Sequence, residues 1–334
     1  MRAPAIENAT RFAVEPHVVL EADGEKLVTI VKGTFEQDAA GMLIPSRMPR
    51  PIRFADELWG DPATTPARYP SDAVGEKPGT DIVVVAEAHA PNGKALPSLD
   101  CGVKVGAVEK TIRVFGLRVW QEGGGLSAPR PFTQQSIRYD HAWGGIDPTD
   151  PSYGEPRNPV GSGMVRDRSL LAHQPAPCVE DPLRPIGGVG AESAPAGLGP
   201  IGTHWMPRRG YAGTYDEAWL RDQAPLSPLD FDPRANQCAT PDLIASPHLQ
   251  GREEVALLNL HSGGGTLAFS LPSDAPTVVH VHEGRRPEER RPALDTVIID
   301  TIDVSLPSRV TVELVWRTVM PLPRFVGRHR IVIR

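Results

Sequence analysis

The clearest metal-ligand pattern in the sequence is the histidine pair His280 and His282, in the segment VVHVHEG. Residues two apart in a strand project from one face, so both imidazoles are available to one ion. This spacing occurs in jelly-roll metalloproteins, which add a carboxylate a few residues later. Arg285 and Arg286 occupy that region here. The two histidines are therefore candidate metal ligands, and the alternative is the polar face of a strand.

The other reactive residue types form no recognisable catalytic motif. Asp140 and His141 are an acid and a base side by side, but no motif joins them to a nucleophile. The chain contains neither G-x-S-x-G nor the phosphate loop G-x-x-x-x-G-K-[ST], and its glycine triplets are expected at loop tips. We predict no catalytic residues and no cofactor. We also predict that Arg138 and Asp140 form an internal ion pair.

Charge and cysteine content exclude several classes of protein. The chain has 35 basic and 41 acidic residues, a net charge of -6, which disfavours nonspecific nucleic-acid binding. No run approaches the roughly 20 apolar residues of a membrane span. The three cysteines are Cys101, Cys178 and Cys238, too dispersed for a zinc knuckle or a disulfide framework. Without an apolar leader, the sequence predicts a cytoplasmic protein that binds neither nucleic acid nor membrane.

The elements that position these residues are mainly strands. The chain has 36 Pro and 32 Gly among 334 residues, too many for a mostly helical protein. Runs of strand character end with a β-branched segment over 309–319, whose alternation predicts a half-buried strand. The sequence predicts packed antiparallel sheets, β-sandwich-like, with at most one or two short helices. The other predicted strands are 12–20, 26–35, 81–89, 103–108, 110–120, 254–260, 266–271, 277–283 and 294–304.

Three regions differ in composition. Residues 1–122 and 250–334 are β-rich, and 123–249 is rich in Pro and Gly, so we expect a long ordered loop region between two β regions, possibly within one integrated fold. The central region holds most of the Trp and Tyr residues, which favours packed loops over a linker. Its best helix candidate is Tyr215–Asp222, with Thr214 as N-cap and Glu217 completing a capping box.

Several long motifs resemble a bacterial family of unknown function whose genes lie beside type VI secretion spike and effector genes. The resemblance covers nearly the whole chain. The motifs are KGTF (Lys32–Phe35), RYDHAWGG (Arg138–Gly145), NPVGSG (Asn158–Gly163), GLGPIGTHWMPRRGYAGTYDEAWL (Gly197–Leu220), PLDFDPRANQCATPD (Pro228–Asp242) and LQGREEVALLNL (Leu249–Leu260).

The resemblance implies an adaptor or chaperone that holds a toxic effector and loads it onto the trimeric spike protein. Aromatic residues and arginine dominate protein interfaces, so the motif residues that would contact a partner are Trp143, Trp205, Arg208, Tyr211, Tyr215 and Trp219. The same side chains would alternatively pin the loop onto the sheets. Two other functions remain open, a metal-dependent β-fold enzyme using His280 and His282, and a β-sandwich module that binds carbohydrate or peptide.

Overall fold

The computed structural model of the protein describes residues 4–188, 193–302, 310–322 and 328–334. Within them, the chain forms one α-helix, six short 3-10 helices and 22 strands. None of the helices is long and apolar enough to cross a membrane, for the part of the chain described.

The α-helix, α1, is Glu217–Asp222. The 3-10 helices are Pro91–Gly93, Tyr139–His141, Arg168–Leu171, Arg208–Tyr211, Pro233–Asn236 and Pro241–Leu243. The strands are β1 Ala5–Asn8, β2 Ala13–Glu21, β3 Gly24–Gln37, β4 Leu43–Pro45, β5 Glu57–Leu58, β6 Ala67–Tyr69, β7 Thr80–Val85, β8 Glu87–His89, β9 Ser98–Val105, β10 Val108–Phe115, β11 Gln134–Ser136, β12 Trp143–Gly144, β13 Ser162–Gly163, β14 Val179–Glu180, β15 Ile244–Ala245, β16 Glu254–Leu258, β17 Thr266–Ser270, β18 Val278–His282, β19 Glu288–Arg290, β20 Ala293–Asp300, β21 Thr311–Pro321 and β22 His329–Ile333.

The largest sheet has seven strands in the order β15-β7-β20-β21-β3-β2, with β4 paired to the far end of β3. Its longest pairing joins β21 to β3, antiparallel, from Thr311 opposite Glu36 to Pro321 opposite Lys26. Only β7 and β20 run parallel within it. The regions 1–122, 123–249 and 250–334 each contribute strands to this sheet, because β15 belongs to the central region.

Two further sheets pack against the same apolar core. A five-stranded sheet has the order β14-β10-β9-β16-β17, and a four-stranded sheet has the order β1-β22-β18-β19. Residues of all three sheets form one apolar cluster, which includes Val31, Ile82, Val103, Leu257 and Ile331. Since sheets bury one face each against another, this cluster is the interior of a β-sandwich. The prediction of a mainly β protein with packed antiparallel sheets is confirmed.

The predicted strands agree with the structure in most places. The hairpin expected around residue 107 is β9 paired with β10, from Val105 opposite Val108 onward. Residues 81–89 form β7 and β8 with a break at Ala86. Residues 303–304 and 309, the ends of two predicted strands, lie outside the described residues.

The centre of the seven-stranded sheet, including β21, is buried on both faces, and this corrects the half-buried strand predicted over 309–319. Lys32, Glu313 and Arg317 lie on the face opposite the sandwich core and are fully covered. The segment 50–79 covers them, because Arg53 Nη1 and Nη2 bond the Glu313 carboxylate at 2.6 and 2.8 Å. Lys32 Nζ lies 2.7 Å from both Glu313 Oε2 and Asp72 Oδ2. A polar face can be buried when each charge has a partner.

The electrostatics of this buried face are set by that pairing. Burial by itself would raise the pKa of Glu313, but Lys32 and Arg53 outweigh it and hold the pKa at about 2. The carboxylate is therefore ionised at neutral pH. Removing one partner would leave an uncompensated buried charge.

The KGTF motif has a packing role in β3. A Cβ on Gly33 would lie 2.7 Å from the ring of Phe35 and 3.0 Å from the rings of Phe12 and Trp316. The ring of Phe12 contacts the other two, with its centroid 5.9 Å from that of Phe35 and 5.4 Å from that of Trp316. Only glycine fits at this position, since any side chain would displace the rings.

Candidate functional site

The first half of the central motifs is folded around one buried amide. Asn158 Nδ2 donates hydrogen bonds to the carbonyl oxygens of Tyr139 and Trp143, at 2.8 and 2.9 Å. Gly144 and Gly145 have φ angles of 149° and 100°, and a Cβ on Gly144 would lie 2.2 Å from the Asn158 carbonyl oxygen. The glycines of RYDHAWGG are thus required for the close approach of NPVGSG.

Three of the six proposed partner contacts lie inside the protein. Trp143 packs in a cluster with Trp120 and Leu171. Trp205 contacts the edge of Tyr139, with ring centroids 5.5 Å apart. Arg208 donates from Nε to Ala235 O at 2.8 Å and from Nη1 to Ile201 O at 3.0 Å. Each is at most 6% exposed, so these side chains pin the loop and present no surface to a partner in this structure.

The other three candidates lie in a different environment. Tyr215 is 57% exposed, and Tyr211 and Trp219 are partly buried. Tyr215 and Trp219 form an edge-to-face pair, with ring centroids 4.7 Å apart. Arg234 stacks on Tyr211 at 4.1 Å from the ring centroid. Aromatic pairs of this kind are held in place while keeping one side accessible.

Helix α1 begins two residues later than predicted, and its cap is a different residue. The N-cap is Asp216, whose Oδ1 accepts from Trp219 N at 2.8 Å. Thr214 instead bonds Asp230 through its backbone N and its Oγ1, at 2.9 and 2.7 Å. Both residue types can cap a helix, and the contact with Asp230, sixteen residues away, decides between them.

Helix α1 and the loop that follows it form an exposed apolar surface. No residue of α1 is buried, Leu220 is 67% exposed and Leu229 is 82% exposed. The Thr214–Asp230 bonds hold the loop beside the start of the helix. We call Tyr211, Tyr215, Trp219, Leu220 and Leu229 the α1 surface.

The α1 surface is anchored to the edge of the seven-stranded sheet. Ser227 donates from N and Oγ to Leu20 O at the end of β2, at 3.1 and 2.7 Å. Gln223 Nε2 donates to Ala22 O at 3.0 Å. Trp219 Nε1 donates to Leu226 O at 2.9 Å, which fixes the indole on its own loop. The surface is therefore ordered before any partner arrives.

The histidine pair has a third histidine beside it. His280 and His282 lie on β18 with their side chains buried, and His329 of β22 stands opposite His282 in the register. His280 Nδ1 and His329 Nε2 are 3.2 Å apart and share a hydrogen bond. Pairing of β18 with β22 places His329, 49 residues after His280, beside the histidine pair. No local sequence pattern indicated this contact.

The geometry of this cluster is that of packed neutral rings. His282 and His329 stack with centroids 4.1 Å apart and planes at 19°. Imidazole lone pairs lie in the ring plane, so stacked rings do not direct them at one ion. Burial, with charge repulsion between the rings, lowers the pKa of His280 and of His329 to about 4. Within the described residues, no group of three or more His, Cys, Asp or Glu is placed to hold a metal ion.

The predicted ion pair of Arg138 and Asp140 is confirmed, with Nε 3.1 Å from Oδ1. The neighbouring His141 is largely buried, and burial lowers its pKa. The three cysteines are buried and carry free thiols. Burial raises the pKa of Cys101 to about 12, so that thiol stays protonated at neutral pH.

The sequence analysis missed a pocket built by the segment 59–69. Trp59, Arg68 and Arg138 line it, together with Val85, Ile137 and Pro200. Its open volume is about 310 Å³, including its mouth. A usable signal existed, because WGDPATTPARYP has the same mixture of aromatic residues, arginine and proline as the central motifs.

The fold defines the class of protein first: a β-sandwich that carries a long, ordered, aromatic-rich loop region. A family model matches residues 22–317, and its family is described as an uncharacterized protein conserved in bacteria (DUF2169). The match spans most of the chain, and the protein belongs to this family. No curated protein and no solved structure matches it.

Proposed function

We propose that the protein is a cytoplasmic adaptor that binds a type VI secretion effector and loads it onto the trimeric spike protein. The observation that carries this proposal is the α1 surface, an ordered and exposed apolar patch formed by the motifs Gly197–Leu220 and Pro228–Asp242. The resemblance of those motifs to the family encoded beside spike and effector genes supplies the partners.

The chemistry of the α1 surface suits protein binding. Tyr and Trp bury large areas at low entropic cost, and they are enriched where interface energy is concentrated. Leu220 and Leu229 are 67% and 82% exposed, and with the three aromatic rings they group apolar area at the surface. Covering them removes apolar area from water, at about 25 cal/mol per Å².

The anchoring of the surface also favours binding. Ser227 and Gln223 fix the loop to β2, and Asp216 caps the helix. A surface that is already ordered loses little conformational entropy when a partner docks. We assign the effector, rather than the spike, to the α1 surface, because a chaperone must shield apolar segments of its client.

The test is co-expression with the effector and the spike protein encoded beside this gene, followed by affinity purification. The unaltered chain is expected to retain the effector. The double variant Tyr215→Ala with Leu220→Asp is expected to lose it. Leu183→Asp is the matched control, since Leu183 is an exposed leucine (89%) in a turn of another segment.

Two results would overturn the proposal. One is that neither the effector nor the spike protein is retained by the unaltered chain at micromolar concentration. The other is that effector secretion continues after deletion of the gene. Retention by the double variant equal to that by Leu183→Asp would remove the α1 surface from the proposal.

A further inference from the structure

The pocket at Trp59 contains an arginine whose donors are not used. Arg68 Nε is buried and has no hydrogen-bond partner. The one ionic contact of this side chain, among the described residues, is between Nη2 and Asp300 Oδ2, at 3.9 Å. That distance is longer than a hydrogen bond. A buried donor without an acceptor costs free energy, which an incoming acceptor would recover.

Aromatic stacking fixes the guanidinium at the pocket. The Arg68 Cζ atom lies 4.6 Å from the ring centroid of Trp59 and 5.0 Å from that of Tyr69. The side chain is 30% exposed, so its outer part is accessible from the mouth of the pocket, whereas Nε itself is buried. Stacking holds the group in one plane but satisfies none of its N–H donors, which point outward in that plane.

A second arginine approaches the same indole. Arg138 Cζ lies 5.2 Å from the centroid of Trp59, and its pairing with Asp140 uses Nε and Nη2 but not Nη1. Two guanidinium groups thus flank one aromatic ring in the pocket wall. This arrangement favours an anion.

The acidic residues nearby limit the charge of that anion. Asp300 lies within 3.9 Å of Arg68, and Asp140 neutralises much of Arg138. Asp300 accepts hydrogen bonds from Tyr69 Oη and Ile302 N, and at 3.9 Å it accepts none from Arg68. The two carboxylates would repel a dianion about twice as strongly as a monoanion. A monoanion with two parallel oxygens matches the guanidinium fork.

We propose that this pocket binds a carboxylate from the side chain of a Glu or Asp residue in a partner protein, with Arg68 as the anchoring residue. The site is separate from the α1 surface, and the inference does not depend on which partner that surface binds.

The test observes the Arg68 Nε–H resonance of the full-length protein by NMR, assigned through its loss in Arg68→Lys. The probe is the peptide acetyl-Gly-Gly-Glu-Gly-Gly-amide. A saturable shift of this resonance is expected, with no shift for the Gln-containing version of the same peptide. Arg68→Lys keeps the charge and the stem, and is expected to weaken peptide binding, followed through neighbouring backbone amides, by at least about tenfold.

Arg166 is the internal control. It also stacks on an aromatic ring, that of Tyr153 at 4.8 Å, but it is 62% exposed and pairs with Asp150. Its Nε resonance is expected to stay unchanged. An equal shift of Arg166 would mean that the peptide binds arginines nonspecifically, which would overturn the proposal.

Two further binding measurements distinguish a side-chain carboxylate from phosphate and from a chain terminus. Tighter binding of inorganic phosphate than of the Glu peptide would overturn the carboxylate assignment. A Gln-containing peptide with a free C-terminus that bound as tightly as the Glu peptide would assign the pocket to a chain terminus and overturn the side-chain assignment. Absence of any shift with the Glu peptide would overturn the site, whatever the co-purification of the effector shows.

Discussion

The central region contains two aromatic-rich parts of similar composition and opposite exposure. The inner part, the described residues of 138–208, buries Tyr139, Trp143 and Trp205. The outer part, 211–231, leaves Tyr215 more than half exposed and buries no residue of α1. Composition therefore identified the region as ordered, but it did not separate its packing residues from its surface.

The difference lies in what the polar groups bond. In the inner part, Asn158 and Arg208 donate to backbone carbonyls of distant segments, so the loop is tied into the protein interior. In the outer part, Ser227 bonds Leu20 O at the end of edge strand β2, and Gln223 bonds Ala22 O in the turn that follows it. The outer part is held at its base and stays open on its other side. Four substitutions test this contrast.

The largest expected effect comes from Trp205→Ala. It removes a buried ring that packs against Tyr139, and a cavity of this size costs about 3–5 kcal/mol of unfolding free energy. Chemical denaturation measures the loss. Trp219→Ala is the matched control in the outer part, and its loss should be less than half as large. Equal losses would abolish the distinction between the two parts.

Asn158→Ala should rank second. It removes the side-chain donor to two buried carbonyl oxygens, that of Trp143 and that of Tyr139, which keeps its bond from Ala142 N, at a cost of about 1–3 kcal/mol. Asn236→Ala is the control, because Asn236 makes the same kind of bond to Glu76 O on the exposed side. The urea midpoints of the two variants measure which substitution is the more destabilising. The comparison is broken if Asn236→Ala is the more destabilising.

Asp216→Ala tests the cap of α1. Loss of an N-cap costs about 1 kcal/mol of helix stability, and α1 opens locally because it buries no side chain. The Trp219 amide donates a hydrogen bond to Asp216. In the variant, hydrogen exchange of this amide should become roughly fivefold faster. Thr214→Ala should leave that amide unchanged. The reverse result would restore Thr214 as the cap.

Tyr215→Ala should have the smallest effect on stability. The ring is 57% exposed, so the unfolding free energy should change by no more than about 0.5 kcal/mol. Thermal unfolding checks this, and the same sample is used for effector retention, which we expect to fall. A stability loss as large as that of Asn158→Ala would place Tyr215 among the packing residues.

Much of the fold was predictable from local patterns. The β-branched runs correspond to β3, β7, β20 and β21, because strand propensity and alternation act over a few residues. The error at β21 has a non-local cause. A half-buried strand would leave the face of Glu313 in water, but its partner Arg53 lies 260 residues away in the chain and covers it. Alternation alone does not distinguish a solvated charge from a paired one.

The candidate site was predictable only in part. The sequence singled out six motif residues, and the structure divides them into three buried and three at least partly exposed side chains. The additions to the site came from contacts at long range. His329 reaches His280 across two strands, and Arg68 meets Arg138 at Trp59 from another segment. Spacing along the chain does not indicate such long-range contacts.

The sequence by itself determined that the protein is mainly β with an ordered, aromatic-rich central region, and it carried the family motifs. These properties follow from composition and short-range patterns, since proline, glycine and β-branched residues restrict the backbone locally. The tertiary structure decided which charges are buried, which aromatic residues pin the loop and which remain exposed on the α1 surface. Burial and pairing depend on groups far apart in the chain, and only folding brings these groups together.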